Sequence, residues 1–216
     1  RPSRQIRFLR VLVQGCMAVV PKSVWFTAHI ADVWKVYYKR DVRGQRLANA
    51  ILTGTSLVPE RVTFPPTRVR LRGWPGWLTV SEATERVEDT LDRRLNELAR
   101  LGRFEEVEEW LNRFLHLRQS GWQHGLFSLD AHLKNFGICG NHVVLLDTGG
   151  LTNRWSEVEE RLAKERSTSK PHVQLGLSSM LAARPDIAER FDQQWKANVT
   201  PATVRHHWNK APGASA

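Results

Sequence analysis

The sequence predicts an α+β fold, and three observations predict it. The first eighty residues are short apolar runs rich in β-branched and aromatic side chains, interrupted by glycine, proline and charge, which is strand patterning. Residues 87–117 then carry two successive stretches with apolar side chains at helical spacing. Finally, 127–150 places a polar loop before a short apolar run that ends on Asp-Thr-Gly-Gly. At 216 residues and 41% hydrophobic content, the chain has enough apolar surface for a sizeable core without disulfides or structural metal.

Taken in order, Arg4 to Val36 reads as several strands, broken at Gly15, Pro21 and Lys22. The run Val33-Trp34-Lys35-Val36-Tyr37-Tyr38-Lys39 is strand-forming, with Lys35 between large apolar neighbours and Lys39 at its charged end. Arg43 to Leu52 reads as a helix with Leu47, Ala48, Ile51 and Leu52 on one face. Leu57 to Val62 is an extended link, and Pro65-Pro66 is expected to break the chain's regular structure. Arg68 to Leu78 alternates Val, Leu and Trp with Arg around Gly73-Trp74-Pro75-Gly76, a hairpin pattern.

Helices are expected over Val87 to Leu101, ended by Gly102, and over Phe104 to Leu117, with Gly121 as its stop. Both are amphipathic and core-facing. Gly140-Asn141 reads as the turn before a buried strand, Val143 to Leu146. Beyond Gly150, Ser156 to Glu165 forms a charged helix opened by the capping pattern Ser156-Glu157-Val158-Glu159. Val173 to Leu181 and Ile187 to Trp195 read as closing helices, and 211–216 as a disordered tail.

The chemistry-bearing stretch is Phe127 to Gly150. Asp130 and Asn135 stand five residues apart, and Asp147 follows Asn135 by twelve. Phosphoryl transfer requires a carboxylate to take the acceptor's hydroxyl proton and oxygen ligands to hold Mg²⁺ against phosphates. Asp130 suits the first task; Asn135 and Asp147 suit the second. The same residues also suit plain loop roles: Asp130 as a capping residue, Asn135 as a left-handed loop residue, and 147–150 as a turn.

At these positions the chain resembles the protein-kinase-like phosphotransferases, whose catalytic loop is H-x-D-x-x-x-x-N and whose metal loop is D-F-G. The form Asp130-Ala131-His132-Leu133-Lys134-Asn135 is similar to the D-x-H-x-x-N of aminoglycoside-phosphotransferase-like and bacterial lipopolysaccharide (Kdo) kinase-like enzymes. Ser128 stands where the family has His, and Thr148 where protein kinases have Phe. The resemblance implies two lobes: a β-rich nucleotide-covering lobe over 1–80 and a helical lobe over 81–210 that carries the catalytic loop.

It further implies ATP and Mg²⁺, with Asp130 catalytic and Asn135 and Asp147 binding the metal. Lys35, or alternatively Lys39, would hold the α- and β-phosphates, and Glu82 and Ala83 would be hinge residues offering backbone groups to adenine. His132 would support the loop or approach the acceptor. Two of the family's features are missing: no glycine loop precedes Gly44, and no glutamate lies between Arg43 and Thr53 to orient a strand lysine. No A-P-E segment follows Asp147, so the expected acceptor is a hydroxyl of a sugar, lipid-linked sugar or other small molecule. The alternative is a catalytically impaired kinase-like binding module for an anionic partner.

A net charge of +10 favours anionic partners, including an acidic membrane surface. Nucleic acid is not expected as a partner, because no RNP-like or zinc-ligand pattern accompanies the Arg/Trp mixture. Two cysteines, Cys16 and Cys139, are too few for a disulfide framework and point to a reducing compartment. No apolar run approaches eighteen residues. The expectation is a cytoplasmic protein, with charge allowing peripheral contact with the inner membrane.

Overall fold

The computed structural model describes residues 38–70, 72 and 76–208, except for the side chains of Arg61 and Glu82. The expected strands before Val36, the candidate phosphate-holding Lys35, the turn residues 73–75 and the tail lie outside the described residues. The chain divides into two compact units, residues 1–42 and 43–216. Of the first, residues 38–42 are described and are helical.

The second unit is mixed α+β, with small antiparallel sheets. It opens on α1, helical over 43–47 and continuing into a π-helical turn, Ala48–Leu52. Ala48 and Leu52 are buried, with Leu47 and Ile51 packed against the core, the face that the periodicity predicts. Strands β1 (Arg61–Val69) and β2 (Leu78–Thr84) form an antiparallel hairpin. Pro65-Pro66 does not end β1. The register shifts between Thr63 and Thr67 instead. A two-stranded sheet has only edges, so a proline lacking its N–H is accommodated as an irregularity.

The next correction concerns the first long helix. It begins at Leu91, not Val87, and runs to Arg100 as α2. Residues 88–90 are drawn into a sheet: Glu88 N–H donates to the Ile138 carbonyl at 2.8 Å, and β3 (Asp89–Thr90) pairs with Ile138 and Gly137. Gly102, at φ +72°, ends the helical segment as expected. Helix α3 extends from Phe104 to Gln123, past Gly121. The chain turns at Gly125, φ +70°, a conformation in which a Cβ is strained.

After α3 come β4 (Phe127–Ser128), a 3₁₀ turn (Leu133–Asn135), β5 (Phe136–Cys139), β6 (His142–Leu145) and β7 (Leu151–Thr152). Strands β3, β5 and β6 form one sheet in that order, and β4 pairs with β7. Helix α4 spans Trp155–Arg166, with Arg154 rather than Ser156 at its N-cap, so the capping pattern is not used. The helix expected over Val173 to Leu181 is only α5, Pro171–Gln174; Gly176 at φ +76° turns the chain there. Helices α6 (Pro185–Asn198) and α7 (Pro201–Trp208) close the unit.

The core lies among α2, α3, the β5–β6 hairpin, α4 and α6, and includes Leu91, Leu95, Phe114, Phe136, Leu162 and Trp195. Phe114 meets Phe136 edge-to-face at 4.8 Å, which fastens the strand after Asn135 to α3. No helix among the described residues is long and apolar enough to cross a membrane.

Candidate active site

Two short pairings bring the ends of the candidate site together. Ser128 of β4 faces Leu151 of β7, and Phe127 faces Thr152. Leu129 N–H donates to the Gly150 carbonyl at 2.9 Å. The chain entering the Asp130 loop therefore lies alongside the chain leaving the Asp147 turn. Gly150 makes this close approach possible: a Cβ there would come within 3.1 Å of Asp130 Cβ and 3.2 Å of its nitrogen.

Asn135 joins the two loops. Its Nδ2 donates to the Asp130 carbonyl at 3.4 Å. Its own carbonyl accepts from Leu146 N–H at 2.9 Å and from Asp147 N–H at 3.3 Å. Asn135 is only 9% exposed, so these bonds satisfy polar groups that water does not reach freely. Asp130 is half-buried and Asp147 exposed. Ser128 donates its hydroxyl to the Asp130 carbonyl at 3.1 Å. A small hydroxyl side chain thus braces the loop.

Asn135 and Asp147 each keep one side-chain oxygen uncommitted. Asn135 commits its Nδ2 to the Asp130 carbonyl, which leaves Oδ1 as the atom available to a ligand. Asp147 receives Gly149 N–H on Oδ1 at 2.8 Å, leaving Oδ2 for the same purpose. Amide and carboxylate oxygens are the ligands that Mg²⁺ takes, with water and phosphate oxygens completing its shell. Among the described residues there is no cluster of three or more His, Cys, Asp or Glu side chains arranged to hold a metal.

His132 sits beside the candidate base. Its Nε2 is 3.5 Å from Asp130 Oδ1 and its side chain is largely exposed, as is Lys134. Glu82 and Ala83 lie in β2 opposite Thr63 and Val62. From there the chain is stitched toward the site: Glu85 N–H donates to the Glu60 carbonyl at 2.7 Å, and β3 then pairs with β5, the strand that begins directly after Asn135.

Sequence reasoning missed the role of α1. A Cβ on Gly44 would fall 1.9 Å from the Thr148 carbonyl oxygen and 3.1 Å from the Gly149 carbonyl carbon. The helix backbone therefore rests directly on the turn that follows Asp147. The neighbouring Arg43 donates to both oxygens of Glu157, at 2.9 and 2.7 Å. The available signal was a glycine at the second position of the expected helix Arg43 to Leu52, a residue type that disfavours helix by about 1 kcal/mol relative to alanine. No protein-family model, curated protein or solved structure matches the chain.

Proposed function

We propose that this protein is an ATP-dependent phosphotransferase that transfers the γ-phosphoryl group to a hydroxyl of a sugar, a lipid-linked sugar or another small molecule, on a kinase-like two-lobe fold. The observation that carries this is the joining of the Asp130, Asn135 and Asp147 loops through Asn135 and the β4–β7 pairing. Turn-forming or capping roles alone do not call for three oxygen-bearing side chains on adjoining loops.

In this chemistry the acceptor oxygen attacks the γ-phosphorus, and the bond to the ADP leaving oxygen breaks. Asp130 orients the acceptor hydroxyl and takes its proton. Asn135 and Asp147 would hold Mg²⁺, which would supply neutralisation of phosphate charge when bound. Lys35 holds the α- and β-phosphates, and Glu82 and Ala83 present backbone groups to adenine. Proton acceptance and preorganised electrostatics do most of the work in such a site, so losing Asp130 lowers turnover by about 10²- to 10⁴-fold.

The second reading is a kinase-like binding module with impaired catalysis. It is favoured by the lack of any carboxylate in the helix segment 43–53. Thermal stabilisation by Mg-ATP, followed by ATP consumption in wild type, Asp130→Ala and Asp147→Ala, separates the two. Turnover abolished in both variants supports the phosphotransferase. Nucleotide binding without turnover, unchanged in the variants, supports the binding module.

A further inference from the structure

Helix α1 is held against the Asp147 turn from three directions. Gly44 abuts the Thr148 carbonyl with no room for a Cβ, and the opposing atoms are backbone, which cannot swing aside as a side-chain tip can. Arg43 makes a bidentate pair with Glu157 across 114 residues of sequence, and each side chain is 28% exposed. Beyond the helix, the Leu57 carbonyl accepts from Leu145 N–H at 2.8 Å, on the strand that ends two residues before Asp147.

Glu157 carries the restraint onward. The Arg43 guanidinium holds its carboxyl below the ordinary glutamate range, and its Oε1 also lies 3.6 Å from Nη1 of Arg154, two residues beyond Thr152. Thr152 belongs to β7, whose partner β4 leads into the Asp130 loop. Arg43 thus ties α1 to the first turn of α4, which starts three residues after the pairing that aligns the two catalytic loops. A bidentate guanidinium–carboxylate pair fixes orientation as well as distance, which suits a positioning role.

We propose that Arg43 and Gly44 are positioning residues for the Asp147 loop: the Arg43–Glu157 pair clamps α1 onto the Asp-Thr-Gly-Gly turn, so that the helix sets the loop by backbone contact. The consequence for catalysis rests on the phosphotransferase assignment; the mechanical coupling does not. Neither residue touches substrate or metal in this scheme. Both act through Asp147.

Two measurements test the clamp. In Arg43→Met, Glu157→Gln and Gly44→Ala, amide hydrogen exchange over 146–151 should accelerate by about ten-fold or more, while α3 amides keep their wild-type rates. In steady-state assays, Arg43→Met and Glu157→Gln should each raise the Mg²⁺ concentration for half-maximal turnover by about five-fold or more, and the double variant should be no worse than either single one. Arg43→Lys, which keeps the charge but not the fork, should fall between.

Unchanged exchange over 146–151, or uniform acceleration across α3 as well, overturns the clamp. So does strictly additive behaviour of the two substitutions. If Gly44→Ala does not fold, the two ion-pair variants still decide the matter. If wild type shows neither Mg-ATP binding nor turnover, the phosphotransferase assignment fails, and the exchange measurement still accepts or rejects the clamp.

Discussion

Arg118 shows how much one buried charge organises. It is 5% exposed and Glu165 is 3% exposed, with Arg118 Nη2 3.5 Å from Glu165 Oε1. The guanidinium lies over Trp195 at 4.6 Å and over Phe127 at 5.3 Å. Burial pulls the Arg118 pKa down, and Glu165 pulls it back up. Both Nη atoms of Arg118 and Oε2 of Glu165 lack a hydrogen-bond partner, so the pair is held by Coulomb attraction and stacking. Glu165 Oε1 also accepts from Arg161 Nε at 3.1 Å, so it is removal of Glu165 that leaves an uncompensated buried charge, on Arg118, which costs about 3 to 5 kcal/mol. Glu165→Ala should show that loss in urea unfolding, while Arg118→Met combined with Glu165→Leu should cost clearly less. Equal losses would show that the ion pair is not what matters there. Phe127 begins the strand leading to Asp130, so both variants should also report on the loop.

At the scale of elements, the link between β2 and α2 is decided by a contact, not by periodicity. Val87 has the apolar character of a helix-face residue, but its Cγ1 occupies the space over Gly137, 2.5 Å from where a Cβ would stand. Leu146, next to Asp147, closes the same site at 3.0 Å. Valine is stiff at χ1 and cannot turn away easily. Gly137→Ala should therefore destabilise by about 1 to 3 kcal/mol through overpacking. In a Val87→Ala background the same substitution should cost much less. Chemical denaturation of the four proteins measures the coupling, and additive costs would rule out the contact.

For the whole molecule, the depressed carboxylates are paired with cations. Arg190 lowers the Glu108 pKa, Arg43 that of Glu157, Arg184 that of Asp186 and Lys164 that of Glu160. A carboxylate whose folded pKa lies below its unfolded value adds stability that is complete above the unfolded value, about 4, and is lost as pH falls through the folded value. The melting temperature should stay level from about pH 8 to 5 and fall progressively toward pH 3. Solvent screens these pairs, so each contribution is small and raised salt should reduce it. A melting temperature that rises on acidification would contradict the assignment.

Local pattern was enough for the α+β class, the α1 face, the amphipathic character of α2 and α3, and the glycine turn between β5 and β6. Each of these depends on neighbours within one or two turns of chain. The spacing of Asp130, Asn135 and Asp147 was equally legible, because the residue types and their order carry it. Element ends were less so. Val87, Gly121 and Ser156 all bear the right local signal, yet Val87 is held by its contact over Gly137, α3 runs on to the turn at Gly125, and α4 starts from an N-cap at Arg154. The clamp between Arg43 and Glu157, the seat of Gly44 on Thr148, and the buried Arg118–Glu165 pair join residues 47 to 114 positions apart. No periodicity reaches that far. Whether a glycine is a flaw in a helix or the point where another backbone must pass depends on what the fold brings against it.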